Sequence, residues 1–342
     1  MQGLSYPFDS PPSFGDPIEV TAAVRWLRMP LPWSLDHVNL YLLTNEHGWT
    51  LIDTGLCTPE AQRLWQPLIK EGVDGRPITE ILLTHHHPDH IGAASWLSEQ
   101  LGAAVSMHPN EYQAATAVYP APATLETPLY ETLYQPLGLR RQDADQLHQI
   151  YANWGMGIDA LPANCRTLTE SSVLQHGADN WQLHYSQGHS PGQLAPFCPK
   201  RRVLLSGDLV LPKISSNISV TPWNPERNPL AAEMQGLDRL RNLPADTLVL
   251  PAHGLPFRGL HARIDQLQSE WLDRLASITG HCVEPKHPLE LIPLLFREGL
   301  TGLDQALAVS ETLSYLSYLL GQGELERIRD SNGDCRFLAT PV

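Results

Sequence analysis

Residues 84–90 read Thr84-His85-His86-His87-Pro88-Asp89-His90, and this stretch decides how the rest of the sequence is interpreted. The run before it, Ile78–Thr84, is short and β-branched, which is typical of a buried strand. A helix is predicted after it, from about Ile91 to Leu101, ending at a glycine. The histidine-rich stretch is therefore expected to form the turn between a strand and a helix.

Four side chains of this turn are of the kinds that bind metal ions. His85 and His87 stand two residues apart where the strand ends, so their rings point to the same side. The chain turn then brings Asp89 and His90 toward the same spot. A His-x-His-x-Asp-His pattern between a strand and a helix predicts a metal site.

Three more candidate ligands follow predicted strands later in the sequence. His189 lies in a Gly-His-Ser-Pro-Gly stretch, Asp208 ends a Ser-Gly-Asp stretch, and His253 lies in an Ala-His-Gly stretch. Each alone is weak, because single polar residues often cap strands and helices. All three follow the carboxyl ends of strands, where α/β folds build their sites, so we expect them to join the histidine turn.

The pattern of apolar runs predicts an α/β protein. Two strand-rich halves flanked by helices indicate a four-layer αββα sandwich. The predicted strands are Ile18–Arg28, Val38–Thr44, Trp49–Asp53, Ile78–Thr84, Val105–His108, Arg166–Leu174, Trp181–Ser186, Arg202–Ser206 and Thr247–Leu250.

Two regions depart from this pattern. Residues 109–162 hold helix-like pieces broken by prolines and no convincing strand, which predicts a helical insertion that contacts substrate or forms a lid. After residue 284, two helices precede two short strands around Asp330-Ser331-Asn332-Gly333-Asp334, a hairpin signature. We therefore expect a catalytic domain over residues 1–284 and a small winged-helix-like domain over residues 285–342.

Composition narrows the class of partner. The 342 residues carry a formal net charge of −14, which disfavours nucleic acid because phosphate backbones are bound mainly by Lys and Arg. The N-terminus lacks a secretory signal, and no apolar run is long enough to span a membrane. Five widely spaced cysteines without a CxxC pair favour reduced thiols. These features predict a cytoplasmic protein that acts on a small molecule and forms no membrane contact.

The motifs, taken in order, resemble those of the metallo-β-lactamase superfamily, and in particular its glyoxalase II-like hydrolases. The likeness covers about residues 18–279, and the C-terminal segment resembles the winged-helix extension of some members. The resemblance implies a first metal bound by His85, His87 and His189 and a second bound by Asp89, His90 and His253. It also implies that Asp208 bridges the two metals and that Asp53 supports the site without touching them.

Imidazole and carboxylate ligands suit Zn²⁺, although the same set accepts Fe or Mn. Two divalent ions would share a hydroxide that attacks an acyl centre, with Asp89 orienting it and taking up a proton. The expected reaction is hydrolysis of a small thioester, ester or lactone. Lys213 and Asn217, in the loop after Asp208, are candidate substrate-binding residues.

Other interpretations of the sequence remain open. A phosphodiesterase or ribonuclease of the same superfamily is the first alternative, because winged-helix extensions occur on nuclease-like members. A di-iron redox protein or a non-catalytic metal-binding protein is the second. The C-terminal segment, which has few basic side chains, is expected to serve packing or to form a homodimer rather than to bind DNA.

Overall fold

The structure is a computed structural model that describes residues 3–119, 124–176, 178–224, 227–331 and 333–341. Its first sheet has seven strands that follow one another in chain order, antiparallel from β1 to β4 and parallel from β4 to β7. These strands are β1 Ile18–Thr21, β2 Val24–Pro30, β3 His37–Thr44, β4 Trp49–Ile52, β5 Ile78–Leu82, β6 Ala104–Met107 and β7 Cys165–Thr167.

The second sheet has six strands, in the spatial order β13-β12-β11-β10-β9-β8. The pair β11 and β12 is parallel, and the other neighbours are antiparallel. Its strands are β8 Val173–His176, β9 Asp179–Ser186, β10 Gln193–Cys198, β11 Val203–Gly207, β12 Leu248–Pro251 and β13 Phe257–Arg258.

Alternating side chains of the first sheet face two different cores. Trp26 and Tyr41 pack with residues of the second sheet such as Leu205, which forms the centre of the sandwich. Their neighbours Leu27 and Leu40 point the other way, toward helices. This two-residue period is the one expected of strands buried on both faces.

Helices cover the outer faces of both sheets. The core outside the first sheet includes side chains of α1 Pro59–Glu71 and α3 Ala94–Leu101, and α2 Pro88–Ile91 precedes α3 directly. The core outside the second sheet includes side chains of α7 Pro229–Leu240 and α8 Leu260–His281. The order of layers is helix, sheet, sheet, helix, and the predicted four-layer sandwich is confirmed.

Some strand predictions differ from the structure. The run Ile18–Arg28 is a hairpin, β1 and β2, because the chain reverses at Ala22 and Ala23, which carry no turn signal. The run Arg166–Leu174 is two strands, β7 and β8, which belong to different sheets. A turn at Thr169–Ser172, closed by a backbone hydrogen bond of 2.9 Å, separates them. Strands β10 and β13 were not predicted.

The described part of residues 109–162 contains helices and no strand, as predicted. It consists of α4 Pro109–Val118, α5 Thr127–Leu129, a π-helical turn Tyr130–Tyr134, a 3₁₀ turn Gln135–Leu137 and α6 Arg141–Ala152. The C-terminal segment contains a 3₁₀ turn Pro288–Leu291, α9 Ile292–Leu295, α10 Gly302–Gln322 and the hairpin strands β14 Leu325–Arg329 and β15 Cys335–Ala339.

The insertion and the C-terminal segment pack against each other. The buried Tyr151 of α6 donates a hydrogen bond of 2.8 Å to Ser310 of α10, and Arg327 of β14 donates one of 2.8 Å to the carbonyl of Pro136. Leu147 and Phe337, from the two segments, belong to one continuous core. Two pieces of chain far apart in sequence thus pack together as one layer. The domain boundary at residue 285 and the winged-helix likeness stay predictions.

Two further expectations concern the chain as a whole. None of the helices in the described residues is long and apolar enough to cross a membrane. All five cysteines are unbridged.

Candidate metal centre

All seven predicted metal ligands lie at the same end of the sandwich. His85 and His87 follow β5, and Asp89 and His90 lie in α2. The other three lie just beyond strands of the second sheet: His189 after β9, Asp208 after β11 and His253 after β12. The carboxyl ends of these strands therefore meet at one site, as the sequence predicts.

The side chains divide into two groups, and within each group the candidate ligand atoms lie within 4.8 Å of one another. One group consists of His85, His87, His189 and Asp208, and the other of Asp89, His90 and His253. Apart from Asp208, which the family resemblance assigns to both metals, these are the two sets that the resemblance implies.

Asp208 connects the two groups through its two carboxylate oxygens. Its Oδ2 lies 3.3 Å from Nε2 of His189 and 3.9 Å from Nε2 of His85. Its Oδ1 lies 3.4 Å from Nε2 of His253 and 3.5 Å from Nε2 of His90. One oxygen therefore faces each group, which is the arrangement required of a carboxylate that bridges two cations.

The outer ring nitrogens of four of the five candidate-ligand histidines are held by hydrogen bonds. Nδ1 of His90 donates to Asp53 Oδ2 at 2.9 Å, and Nδ1 of His85 donates to the Thr84 hydroxyl at 3.0 Å. That hydroxyl in turn donates to Asp53 Oδ2 at 2.7 Å. Because these partners hold Nδ1 of each ring, Nε2 is the ring atom that faces the site.

Two backbone carbonyls serve two more of these rings, His189 and His253, in the same way. Nδ1 of His189 donates to the carbonyl of Asn217 at 2.8 Å, and Nδ1 of His253 donates to the carbonyl of His37 at 2.8 Å. The ring orientations are thus set by partners outside the ligand groups, as is usual for metal-binding histidines.

Asp53 is held in an unfavourable backbone conformation. Its φ angle is +60°, in the left-handed region that residues other than glycine rarely adopt, and its side chain is buried. The conformation lets its carboxylate accept from the Thr84 amide at 2.7 Å as well as from the Thr84 hydroxyl and His90. Asp53 belongs to neither ligand group, and its role of supporting the site without metal contact stays a prediction.

For three members of the first group, His85, His87 and Asp208, the direction of the pKa shift favours the form that binds a metal. Burial, together with neighbouring His90, lowers the pKa of His85 well below its ordinary value, and burial and His189 do the same for His87. Burial opposes ionisation of Asp208, but the nearby His253 and His90 still hold its pKa well below the ordinary value. Neutral imidazoles and an ionised carboxylate are the forms that bind cations.

In the second group, the pKa values of two histidines are raised, and a bound cation would replace the protons on their rings. Burial alone would lower the pKa of His90, but the carboxylates of Asp89 and Asp53 raise it well above the ordinary value. Burial is likewise outweighed at His253, whose pKa is raised by Asp208. Protons on these rings balance the buried carboxylates, and a bound cation would displace them, so metal binding releases protons.

Unpartnered polar atoms also fit a metal. Among the described residues, Nε2 of His90 and Oδ1 of Asp208 are buried without a hydrogen-bond partner, although they lie 3.5 Å apart. Buried polar atoms of native proteins are nearly always paired. A cation between them satisfies both, and the donor set therefore fits the two divalent ions that the sequence implies.

Glu111 is a structural residue of the site that the sequence did not reveal. Its fully buried carboxylate accepts from the amide and ring Nδ1 of His86, at 3.0 and 2.6 Å, and from the hydroxyl of Ser190 at 2.7 Å. It thereby joins the His85–His90 turn to the loop of His189. His86, predicted not to be a ligand, belongs to neither group, and its ring bonds to Glu111.

The two predicted substrate-binding residues are placed differently. Lys213 is exposed and does not line the cavity beside the metal ligands, whereas Asn217 does. The Asn217 side chain donates to Oε2 of Glu311 in α10 at 3.0 Å. Glu311 also accepts from Arg274 at 2.8 Å and from Tyr315 at 2.6 Å. Asn217 therefore links the C-terminal helix to His189, a role that no sequence motif indicated.

The ligands open into a cavity of about 820 Å³. Its walls come from the β2–β3 loop, the insertion, the loop after Asp208 and the start of α10. Three tryptophans line it, Trp33, Trp154 and Trp223. No lysine or arginine of the described residues lines it, and Asp304 of α10 adds a carboxylate.

Comparison with known proteins agrees with this geometry. Residues 33–253 match the family model of the metallo-beta-lactamase superfamily, and residues 275–340 match that of the metallo-beta-lactamase-like C-terminal domain. "Probable metallo-hydrolase YqjP" of Bacillus subtilis (strain 168) is 27% identical over 308 residues, which cover 87% of this chain and 92% of that protein.

Two solved structures are similar over nearly the whole chain. A beta-lactamase domain protein from Burkholderia ambifaria is 36% identical, with a TM-score of 0.86 and coverage of 98% of this chain and 97% of that one. A metallo-beta-lactamase family protein from Thermus thermophilus is 26% identical, with a TM-score of 0.77 and coverage of 94% and 100%. With seven ligand-type side chains gathered at the strand ends, this chain belongs to the metallo-beta-lactamase superfamily and is a metallo-hydrolase of that superfamily.

Proposed function

We propose that the protein hydrolyses a small, uncharged thioester, ester or lactone with the help of two divalent cations, Zn²⁺ in the first instance. The observation that carries this proposal is the combination of two ligand groups joined by Asp208 with a cavity whose described lining contains no lysine or arginine. The glyoxalase II-like assignment made from the sequence belongs to this proposal.

Bound at the two groups, divalent cations would activate water at neutral pH and polarise the acyl oxygen. The residues of the chain supply the rest. Asp89 lines the cavity and holds its Oδ2 3.3 Å from Nε2 of His253. From that position its carboxylate would orient the attacking water, accept a proton from it and pass that proton to the departing alkoxide or thiolate. The cavity walls hold the acyl group against the ligands and exclude bulk water.

The lining of the cavity favours acyl over phosphoryl chemistry. A phosphodiester brings a negative charge into a site that already contains Asp89, Asp208 and Asp304. Enzymes that handle phosphate usually neutralise it with arginine or lysine as well as metal. A neutral ester or thioester meets no such repulsion, and the net charge of −14 disfavours nucleic acid in the same way.

The proposal is tested with protein reconstituted with Zn²⁺, and separately with Fe²⁺ and Mn²⁺. Rates are measured on a thioester, an ester, a lactone and bis-p-nitrophenyl phosphate. We expect kcat/KM for an acyl substrate to exceed that for the phosphodiester, and His87→Ala to abolish turnover. His47→Ala is the matched control, because His47 is exposed in the β3–β4 turn, outside both ligand groups. Faster cleavage of the phosphodiester would favour the nuclease-like alternative and overturn the proposal.

A further inference from the structure

The walls of the cavity are more informative about the substrate than the metal ligands are. Building on the hydrolysis proposed above, we propose that Trp154 and Trp223 form a subsite for an uncharged, ring-bearing acyl group. The substrate class would then be aromatic acyl esters or thioesters, such as phenylacetyl compounds, rather than acyl groups that carry a carboxylate.

The aromatic wall begins next to a metal ligand. The ring of Trp154 lies 4.8 Å from that of His87, centroid to centroid, at an interplanar angle of 44°. Trp223 lies 5.8 Å from Trp154 at 46°. Both tryptophans are half-buried and line the cavity, so part of each ring is free to contact a ligand. A ring seated there would have its acyl carbon near the metal centre.

A buried residue holds the two tryptophans in place. The ring of Tyr151 lies 5.5 Å from that of Trp154 and 5.2 Å from that of Trp223. Its hydroxyl donates to Ser310 in the C-terminal helix at 2.8 Å, and the side chain is fully buried. Because aromatic rings prefer tilted and edge-to-face contacts at such distances, the cluster is a preformed surface for another ring.

Apolar side chains continue this wall to the mouth of the cavity. Met156, which follows α6, is 72% exposed, and Ile214, in the loop after Asp208, is 48% exposed. Both side chains line the cavity. Large exposed hydrophobic side chains next to an aromatic cavity are typical of a binding site for an apolar ligand. They extend the subsite outward from the metal ligands.

The charged groups that line the cavity support the second part of the proposal, that the acyl group carries no carboxylate. Among its described lining residues, the ionisable groups are histidines and the carboxylates of Asp89, Asp208 and Asp304. Lys213, a predicted substrate-binding residue, is exposed and outside the lining. An acyl group with its own carboxylate would enter without a lysine or arginine to pair with it, which is costly in a partly desolvated site.

The kinetic test compares phenylacetyl, acetyl and succinyl thioesters of one leaving thiol. For the wild-type protein we expect kcat/KM to be highest for the phenylacetyl and lowest for the succinyl compound. Trp223→Ala should lower the ratio of phenylacetyl to acetyl kcat/KM roughly tenfold, mainly through KM, and Trp223→Phe should restore most of it. Trp96→Ala, a half-buried tryptophan of α3 outside the cavity, is the control and should keep the wild-type ratio.

A binding measurement separates failure of the subsite from failure of the proposed reaction. Saturation-transfer NMR on metal-free protein uses phenylacetamide, a neutral ring-bearing probe that is not turned over. We expect transfer to its ring in the wild type and in Trp96→Ala, and its loss in the double variant Trp154→Ala, Trp223→Ala.

Trp-dependent transfer without turnover of any acyl compound would leave the subsite standing and overturn the proposed hydrolysis. Equal transfer in the double variant, or preference of the wild type for the succinyl thioester, would overturn the subsite.

Discussion

The metal centre and the wall of the cavity are built in opposite ways. Four of the seven ligand residues come from the six positions 85–90, and the other three follow strands that the apolar pattern largely predicts. The wall joins residues such as Tyr151 and Ser310, which are 159 positions apart in the chain. The first region is encoded in short motifs, whereas the second exists only after the insertion and the C-terminal segment have packed together.

This difference indicates that the metal centre determines the reaction and that the wall determines which substrates fit. The ligands, held by Asp53 and Thr84, provide chemistry that is common to a superfamily. The wall, which has no motif, provides the shape and charge of the cavity in this chain. Changes in the first region should therefore affect every substrate, and changes in the second should affect some substrates more than others.

The largest expected effect comes from removing a ligand of the second group. His253→Ala should reduce hydrolysis of all acyl substrates to background. The variant lacks the imidazole that lies beside Asp89 and Asp208, so the second ligand group loses one of its three members. The measurement is kcat/KM over the thioester and ester panel with added Zn²⁺. His261→Ala, on α8 and outside both ligand groups, serves as control. A substrate-dependent loss in His253→Ala would contradict the division between the two regions.

A smaller effect is expected from the residue that supports the ligands. Asp53→Asn keeps the size of the side chain but removes the charge that faces His90 and Thr84. Loss of such a supporting carboxylate typically lowers metal affinity or activity by about 10–100-fold. Competition with a chromophoric chelator gives the affinity. Unchanged metal affinity would show that Asp53 serves only the turn that its φ angle of +60° creates.

Metal removal should separate the two regions by their dynamics. A cation bound only by the folded state at about 100 times its Kd adds about 2.7 kcal/mol to stability. Chelation should therefore lower Tm and speed amide exchange at residues 84–90 and 188–192, which carry ligands. Helix α10, which carries none of the seven candidate ligands and packs chiefly on α6 and α7, should keep its protection. Equal acceleration in both regions would mean that they unfold as one unit.

The smallest effect is expected from removing the contact that connects the two regions. Glu311→Ala leaves Asn217, Arg274 and Tyr315 without their shared acceptor. Loss of a buried hydrogen-bond partner costs about 1–3 kcal/mol, so Tm should fall, with a few-fold loss of activity through Asn217 and His189. Glu326→Ala, exposed on β14, should change neither. Equal effects of the two substitutions would remove the proposed link.

The sequence predicted most of the site because metal ligands obey local rules. The positions of His85, His87 and Asp89 follow from strand and helix periodicity, and the supporting role of Asp53 was implied by the family resemblance. Glu111 was missed because a lone glutamate in the first turn of a helix has no distinctive signal. Its partner His86 is also 25 residues away in the chain, so no local pattern indicates the contact.

Strand prediction failed where local signals were absent or misleading. The hairpin at Ala22 and Ala23 has no turn residue, and β10 contains Pro196, which argues against a strand that is paired on both sides. The crossing between sheets at Thr169–Ser172 depends on a turn within a run that is predicted as one strand. The same limit applies to the tryptophans of the cavity, because their proximity depends on tertiary packing alone.

Both ligand groups depend on Asp208, because its two carboxylate oxygens face one group each and it would hold both cations. Elemental analysis of purified, metal-reconstituted protein tests this directly, with Asp208→Ala and the control Asp304→Asn, a carboxylate of the same cavity outside both ligand groups. Two ions per chain are expected in the wild type and in Asp304→Asn, and one or none in a folded Asp208→Ala. Two ions retained in Asp208→Ala, or none in the wild type, would contradict the account.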